Sequence, residues 1–120
     1  MYTSTVQDHF ENPRNVGIIE DADADALVSN PACGDTMHLY LRLASNRIVE
    51  AKFKTMSCPA AIAASSMTTE MLIGRTVAEA LQLTREEVST ALGGLSPQKV
   101  HCSVLSEDAI RAALNKYRQR

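Results

Sequence analysis

The chain has 120 residues, of which 45% are hydrophobic and 22% charged, and its formal net charge is −2. This length and this mixture are typical of one soluble globular domain and exclude a chain that is disordered throughout. The small net charge offers no basic surface for nucleic acid, and no apolar run is long enough to span a membrane. We therefore predict a single domain over residues 1–120 that binds neither nucleic acid nor a membrane.

The first part of the chain predicts a short helix, a loop and a strand. Residues 3–11 have helical spacing, and the helix ends at Asn12-Pro13 because the residue before a proline avoids the helical region. Residues 14–26 are irregular and acidic, which predicts a solvated loop. A short strand is expected over residues 26–29.

Two alternating segments follow and predict an antiparallel hairpin. They are residues 36–44 and 47–55, joined by a tight turn at Ser45-Asn46. The side chains expected to face the core are Met37, Leu39, Leu41 and Leu43 in the first strand and Val49, Ala51 and Phe53 in the second.

The second half of the chain predicts helices. A helix over residues 59–73 has Pro59 at its first position, where the missing N–H costs nothing. Capping-box patterns begin short helices at Thr76 and Thr84, and residues 103–117 form the last helix. Strands followed by helices predict an α+β fold, with a small antiparallel sheet of about three strands and helices packed mainly on one face.

Three cysteines, Cys33, Cys58 and Cys102, stand at marked places in this pattern. An odd number of cysteines and the lack of a secretory signal argue against a disulfide scaffold and favour a reducing, cytoplasmic location. Cys58 and Cys102 lie at predicted helix starts, where the helix dipole stabilises a thiolate.

Other ligand-type side chains accompany these cysteines. Asp35 is two residues after Cys33, and His101 directly precedes Cys102. Three thiols, one imidazole and one carboxylate make a complete ligand set for a soft metal, although buried packing cysteines remain the alternative. His9 and His38 have no cysteine within three residues, so we expect solvated or capping roles for them.

Longer motifs carry a family resemblance. They are Asp8-His9-Phe10-Glu11-Asn12-Pro13-Arg14-Asn15-Val16-Gly17, Asn30-Pro31-Ala32-Cys33-Gly34-Asp35, Phe53-Lys54-Thr55, Ala61-Ile62-Ala63-Ala64-Ser65-Ser66, Lys99-Val100-His101-Cys102-Ser103 and Glu107-Asp108-Ala109-Ile110. In this order, nearly end to end, the chain resembles the IscU/NifU N-terminal type of iron–sulfur cluster assembly scaffold.

The resemblance implies an IscU/NifU-like fold that builds a [2Fe–2S] cluster from Fe²⁺ and from sulfur delivered by a cysteine desulfurase, then passes it to recipient apoproteins. By resemblance, the cluster-binding positions fall on Cys33, Asp35, Cys58, His101 and Cys102. Cys102 is then the first acceptor of persulfide sulfur.

Two further positions bear on the partners. The family's chaperone-recognition loop reads Leu-Pro-Pro-Val-Lys, whereas this chain has Leu-Ser-Pro-Gln-Lys at residues 95–99, so the use of an Hsp70-type chaperone stays open. By resemblance, Tyr2 is a residue that helps scaffold dimers form, and both the monomer and the homodimer stay open.

Two rival functions use the same residues. In the first, the ligand set holds Zn²⁺, and the protein is a zinc-binding sulfur acceptor of the SufU type. In the second and weaker one, Cys102 is the nucleophile of a hydrolase with His101 as its base, but adjacent residues rarely bring the two side chains into reach.

Overall fold

A computed structural model of the chain describes residues 4–30, 35–56, 59–93 and 104–118. Five helices and three strands lie within these ranges. In chain order they are α1 (Ser4–Glu11), β1 (Ala24–Asn30), β2 (Asp35–Ala44), β3 (Arg47–Met56), α2 (Pro59–Leu72), α3 (Val77–Leu81), α4 (Arg85–Ala91) and α5 (Val104–Arg118).

The three strands form one antiparallel sheet in the order β1-β2-β3. The predicted hairpin of β2 and β3 is confirmed, and its turn has positive φ angles at both Ser45 (54°) and Asn46 (65°). Two such residues form the type I′ turn that matches the twist of paired strands. β1 begins at Ala24, two residues before the expected start, because the chain is already paired with Leu41 there.

Alternation places the apolar side of the sheet as expected in β2 but not throughout β3. Met37, Leu39 and Leu41 are fully buried, whereas Val49, expected in the core, is 49% exposed. A register shift between Arg42 and Leu43 causes this difference. A β-bulge sets two residues of one strand opposite one residue of the other strand. The residues before the bulge then point to the opposite face of the sheet from the one that strict alternation predicts. Ile48 therefore occupies the core position instead.

The helices cover the apolar side of the sheet. α5 packs on β1 and β2, α2 packs on β3, and α1 lies against α2. Buried side chains of these elements form a continuous hydrophobic cluster with the inner face of the sheet. The predicted α+β class, with a three-stranded antiparallel sheet and helices mainly on one face, is confirmed.

Three helices begin at the proline or the capping residue that the sequence predicts as their start. Pro59 is the first residue of α2, and α3 begins with a complete capping box between Thr76 and Glu79. Thr84 caps α4 by accepting a hydrogen bond from the Glu87 N–H. These contacts satisfy N–H groups that have no partner inside the helix.

Candidate functional site

Most of the predicted ligand residues lie outside the described part of the chain. Cys33, Cys58, His101 and Cys102 fall in the gaps between the described ranges. Asp35 is the first residue of β2, and only its backbone is described. The geometry of the candidate site is therefore that of the segments that lead into it.

The described residues that flank Cys33 and that precede Cys58 meet at one end of the sheet. Asn30 and Asp35, which flank the Cys33 loop, are direct cross-strand partners. The next residue, Thr36, is paired with Met56, which stands two positions before Cys58. We call this the site end of the sheet, defined by Asn30, Asp35, Thr36 and Met56. The fold thus supports convergence of the Cys33 and Cys58 segments.

The His101-Cys102 pair lies between Gly93 and the start of α5 at Val104. α5 packs on β1 and β2, so its helix lies on the same sheet as the other two segments. The described residues do not fix the position of His101 and Cys102 relative to the site end. Their convergence with Cys33 and Cys58 stays a prediction.

Two of the three cysteines precede helices, as the sequence predicts. Cys58 directly precedes Pro59, the first residue of α2, and Cys102 stands two residues before α5 begins. The effect of a helix dipole falls off within the first turn, and the sequence puts both cysteines within two residues of a helix start. Thiols next to helix N-termini generally have a lowered pKa, so the sequence predicts thiolates at these positions, the form that binds metal and attacks sulfur.

An open groove lies beside the site end, on the face of the sheet opposite the helices. Its volume is about 480 Å³. The groove is lined by Val16, Leu27, Thr36, His38, Lys54 and Thr55. Thr36 belongs to both the groove and the site end, so a partner or substrate group in this groove would lie next to the start of β2.

A polar network on this face connects β1 with β2. His38 Nε2 lies 2.9 Å from Asp25 Oδ2, and the Tyr40 hydroxyl lies 3.0 Å from His38 Nδ1. The two rings stack with their centroids 4.1 Å apart. Alternation predicts that His38 lies on the polar face, but the bond to Asp25 has no local sequence signal. Both ring nitrogens are occupied, which fits a hydrogen-bonding role for His38.

His9 is buried, contrary to the solvated or capping role expected for it. Only 4% of its surface is exposed, and its Nδ1 lies 2.7 Å from Ser66 Oγ. The same oxygen accepts the backbone N–H of Arg14 at 2.9 Å. Burial lowers the pKa of His9 below its ordinary value of 6.5, and the Arg14 guanidinium lowers it further. His9 therefore holds α1 against α2 through a buried hydrogen bond.

An ion-pair network lies next to the contact between His9 and Ser66. Arg14 Nη2 lies 2.6 Å from an oxygen of Asp8, and its Nε lies 3.3 Å from an oxygen of Glu70. The hydrogen bond from Arg14 holds the pKa of the Asp8 carboxyl below its usual value. The pairs join α1, the following loop and α2.

The end of the N-terminal motif runs along the outer edge of β3. Phe53 donates its N–H to the Asn15 carbonyl and accepts the N–H of Gly17, both at 3.0 Å. Asn15 has φ 60° and Gly17 has φ 145°, which are angles suited to Asn and Gly. Asp8 to Gly17 thus fastens the N-terminal segment to α2 and β3, a role that the sequence did not reveal.

Within the described ranges, no three His, Cys, Asp or Glu side chains are grouped so that they could hold a metal ion. The candidate ligand set depends on residues in the gaps. The helices in those ranges are also too short or too polar to cross a lipid bilayer.

Comparison with known proteins adds independent information. The sequence model of the family described as "NifU-like N terminal domain" matches residues 1–120. The chain belongs to this family.

Two relatives are similar to this chain over nearly its whole length. The iron-sulfur cluster assembly scaffold protein IscU 1 of Archaeoglobus fulgidus is 56% identical over 117 residues, which are 98% of this chain and 76% of the relative. The scaffold protein IscU of Azotobacter vinelandii is 46% identical over 123 residues, covering 99% of this chain and 95% of its own length.

Solved structures of the family have the same fold. A NifU-like N-terminal protein of Brucella abortus gives a TM-score of 0.79 at 19% identity, over 98% of this chain and 94% of that one. A protein of Fervidobacterium islandicum described as a SUF-system iron–sulfur scaffold gives 0.78 at 25% identity, over 94% of this chain and 96% of that one. The family model and the relatives confirm the predicted family resemblance, and the solved structures confirm the fold.

Proposed function

We propose that this protein is a scaffold on which an iron–sulfur cluster is assembled and from which the cluster is passed to recipient proteins. The observation that carries the proposal is the 56% identity to a scaffold protein over 98% of the chain. A match of this extent covers every segment that contributes a candidate ligand. The iron and sulfur are substrates of the assembly, and the finished cluster is its product.

The donor chemistry of the candidate ligands supports this role. Cys33, Cys58 and Cys102 supply three thiolates, the usual ligands of iron in a cluster. A permanent [2Fe–2S] site normally uses four cysteines, so the fourth position here falls to Asp35 or His101. A carboxylate is a harder ligand than a thiolate and binds a soft cluster more weakly. That weakness suits a protein that must release its cluster.

The fold supports the approach of two of these segments. Asn30 pairs with Asp35 and Thr36 pairs with Met56, so the Cys33 and Cys58 segments start from adjacent points of the site end. Strands and helices hold these start points, and a rigid framework at the ends of a ligand-bearing loop lowers the ordering cost of binding.

The sulfur donor in this proposal is a cysteine desulfurase, and the acceptor is Cys102. Transfer of a persulfide breaks the sulfur–sulfur bond on the desulfurase cysteine. The Cys102 thiolate attacks the outer sulfur, a new sulfur–sulfur bond forms on Cys102, and the desulfurase cysteine leaves as a thiolate. A thiolate at the start of α5 favours this attack.

Anaerobic reconstitution tests the proposal against the zinc alternative. The purified chain is mixed with ferrous iron, cysteine, a desulfurase and a dithiol reductant that converts persulfide sulfur to sulfide, with and without an equal amount of Zn²⁺. We expect a visible sulfur-to-iron charge-transfer spectrum, with iron and acid-labile sulfide in equal amounts. Tight zinc binding without that spectrum would instead identify a zinc-binding sulfur acceptor.

A further inference from the structure

The outer edge of β1 is open in the described part of the chain. β3 has backbone contacts on its outer side, with the Asn15–Gly17 segment and with Arg75 and Thr76. β1 is paired with β2 on one side, and no described segment pairs with its other side. An open edge presents unpaired N–H and C=O groups that can pair with another strand.

The register shows which residues of β1 present these groups. The backbone of Phe53 bonds to Asn15 and Gly17, so its N–H and C=O point away from β2. In an antiparallel sheet, directly opposed residues either exchange both bonds or point both pairs of groups away from each other.

The same rule gives the direction in which the backbone N–H and C=O groups of β1 point. Leu39, opposite Phe53, points its backbone groups toward β1, and Ala26, opposite Leu39, points its own toward β2. Leu27 comes next in β1 and points outward. Asp25 and Ser29 share its direction because backbone groups alternate along a strand.

This edge lacks the usual protection against pairing. β1 reads Ala-Asp-Ala-Leu-Val-Ser-Asn, without proline, lysine or a bulge. Leu27 stands at its centre and is 69% exposed. Asp25 carries the strand's charge, and its carboxylate is held by His38 at 2.9 Å.

We propose that the β1 edge pairs antiparallel with the β1 edge of a second copy of this chain, around a twofold axis at Leu27. In this register Leu27 faces Leu27 of the second copy, and Asp25 faces Ser29. Each of the three opposed pairs exchanges two backbone bonds, about six in total, so all the outward groups of these residues are used. The two leucine side chains then cover each other on the open face of the sheet.

The sequence of the edge selects a second copy and this register. A twofold axis at Asp25 sets two carboxylates opposite each other, which is destabilising. An axis at Ser29 leaves Asp25 without an opposed partner within β1. The axis at Leu27 pairs every outward residue without a like-charge contact, so the edge is complementary to itself.

The arrangement has a defined consequence for the candidate site. Because the strands are antiparallel, the two Asn30 residues lie on opposite sides of the axis, roughly 20 Å apart along the strand direction. The two site ends point away from each other, and each copy keeps its own site. This association therefore goes beyond the scaffold function and requires no iron. Its small contact area predicts a weak, concentration-dependent dimer.

Sedimentation equilibrium and residue-resolved amide hydrogen exchange of the metal-free protein test the proposal. Protein is studied between about 10 μM and about 1 mM, the range in which a weak dimer becomes populated. We expect a rising dimer fraction, with exchange slowing at Asp25, Leu27 and Ser29 and unchanged at Ala24 and Ala26. A monomer at every concentration would overturn the proposal. So would edge amides that are already protected at the lowest concentration, because the chain itself would then cover the edge.

Charge substitutions at the axis provide the decisive comparison. Leu27→Lys and Leu27→Glu should each abolish association, because like charges then face each other. An equimolar mixture of the two variants should restore a dimer. Val49→Lys, at an exposed apolar residue of β3, is the control and should associate like the unmodified protein. Slow exchange at Ala26 shows that each variant is folded. Folded variants whose mixture fails to associate would refute pairing at Leu27.

Discussion

His9 and Ser66 are 57 positions apart in the chain, yet the His9 Nδ1 lies 2.7 Å from the Ser66 Oγ. This contact joins α1 to α2, the helix that begins directly after Cys58. The Ser66 oxygen also accepts the Arg14 N–H, so one hydroxyl holds the N-terminal helix and the loop that follows it.

Removing this hydroxyl should destabilise the fold. Ser66→Ala leaves the buried His9 ring nitrogen and the partly buried Arg14 N–H without their partner, and we expect a loss of about 1–3 kcal/mol in the free energy of unfolding. Urea denaturation measures the loss. Asp8→Asn is the control, because it breaks an exposed ion pair and such pairs contribute little. Equal losses in the free energy of unfolding for the two variants would contradict the proposal that the Ser66 hydroxyl stabilises the contact between α1 and α2.

The buried imidazole of His9 should make stability depend on pH. Its pKa is lowered in the folded protein, whereas the unfolded chain has the ordinary value, so the unfolded state binds more protons in mildly acidic solution. The free energy of unfolding should be fully present above about pH 6.5 and should fall as the pH drops below that value.

Denaturation at a series of pH values between about 5.5 and 7.5 measures this dependence. Asp8 does not interfere, because its lowered pKa places its own contribution at more acidic pH. His9→Gln should flatten the decline. A decline that is unchanged in His9→Gln would assign it to another group.

The facing of β3 near its bulge can be tested by truncation. Ile48 is fully buried, and Ile48→Ala should cost about 2–5 kcal/mol because it leaves a cavity in the core. Val49 is 49% exposed, and Val49→Ala should change stability by no more than about 0.5 kcal/mol. Thermal or urea denaturation distinguishes the two. A larger loss for Val49→Ala than for Ile48→Ala would show that Val49 faces the core, as strict alternation predicts.

Replacing Asp35 should separate cluster binding from cluster release. We expect Asp35→Ala to leave the fold stable, to lengthen the lifetime of the cluster and to slow its transfer to an apoprotein. Visible absorbance follows both rates. Glu50→Ala removes a carboxylate elsewhere on the sheet and should leave both rates unchanged. Transfer by Asp35→Ala at the unmodified rate would make Asp35 a turn residue.

Replacing Cys102 should abolish sulfur acceptance without unfolding the protein. Mass spectrometry after incubation with a desulfurase and cysteine detects each added sulfur atom. Cys102→Ser should gain none, whereas Cys33→Ser, the matched control, should still be modified at Cys102. Undiminished persulfide on Cys102→Ser would assign the first acceptance step to another thiol.

Local patterns of the sequence predict much of the fold. The turn at Ser45-Asn46, the proline at the start of α2 and the cap at Thr76 are each decided by residues within a few positions of one another. Such signals can be read directly from the chain. The buried positions of β2 follow from alternation in the same way.

Contacts between distant segments could not be predicted from such patterns. The bulge that buries Ile48 depends on how β2 and β3 pair, and nothing within β3 announces it. The His9–Ser66 contact depends on α1 meeting α2. Tertiary packing decides both.

The candidate site divides along the same line. The types of ligand at Cys33, Asp35, Cys58, His101 and Cys102 come from the sequence, together with the family resemblance. The pairs Asn30–Asp35 and Thr36–Met56 bring together the described residues that flank Cys33 and precede Cys58, and the approach of the two cysteines themselves stays a prediction. The approach of His101 and Cys102 stays a prediction.

Direct transfer of an assembled cluster is the measurement closest to the central claim. The chain is loaded anaerobically with iron and sulfide, freed of excess reagents and mixed with an apoferredoxin in the presence of an iron chelator. The account predicts that the ferredoxin gains its cluster spectrum as this chain loses its own, at a rate that the chelator does not reduce. A cluster that stays on this chain, or a transfer that the chelator abolishes, would contradict the scaffold function.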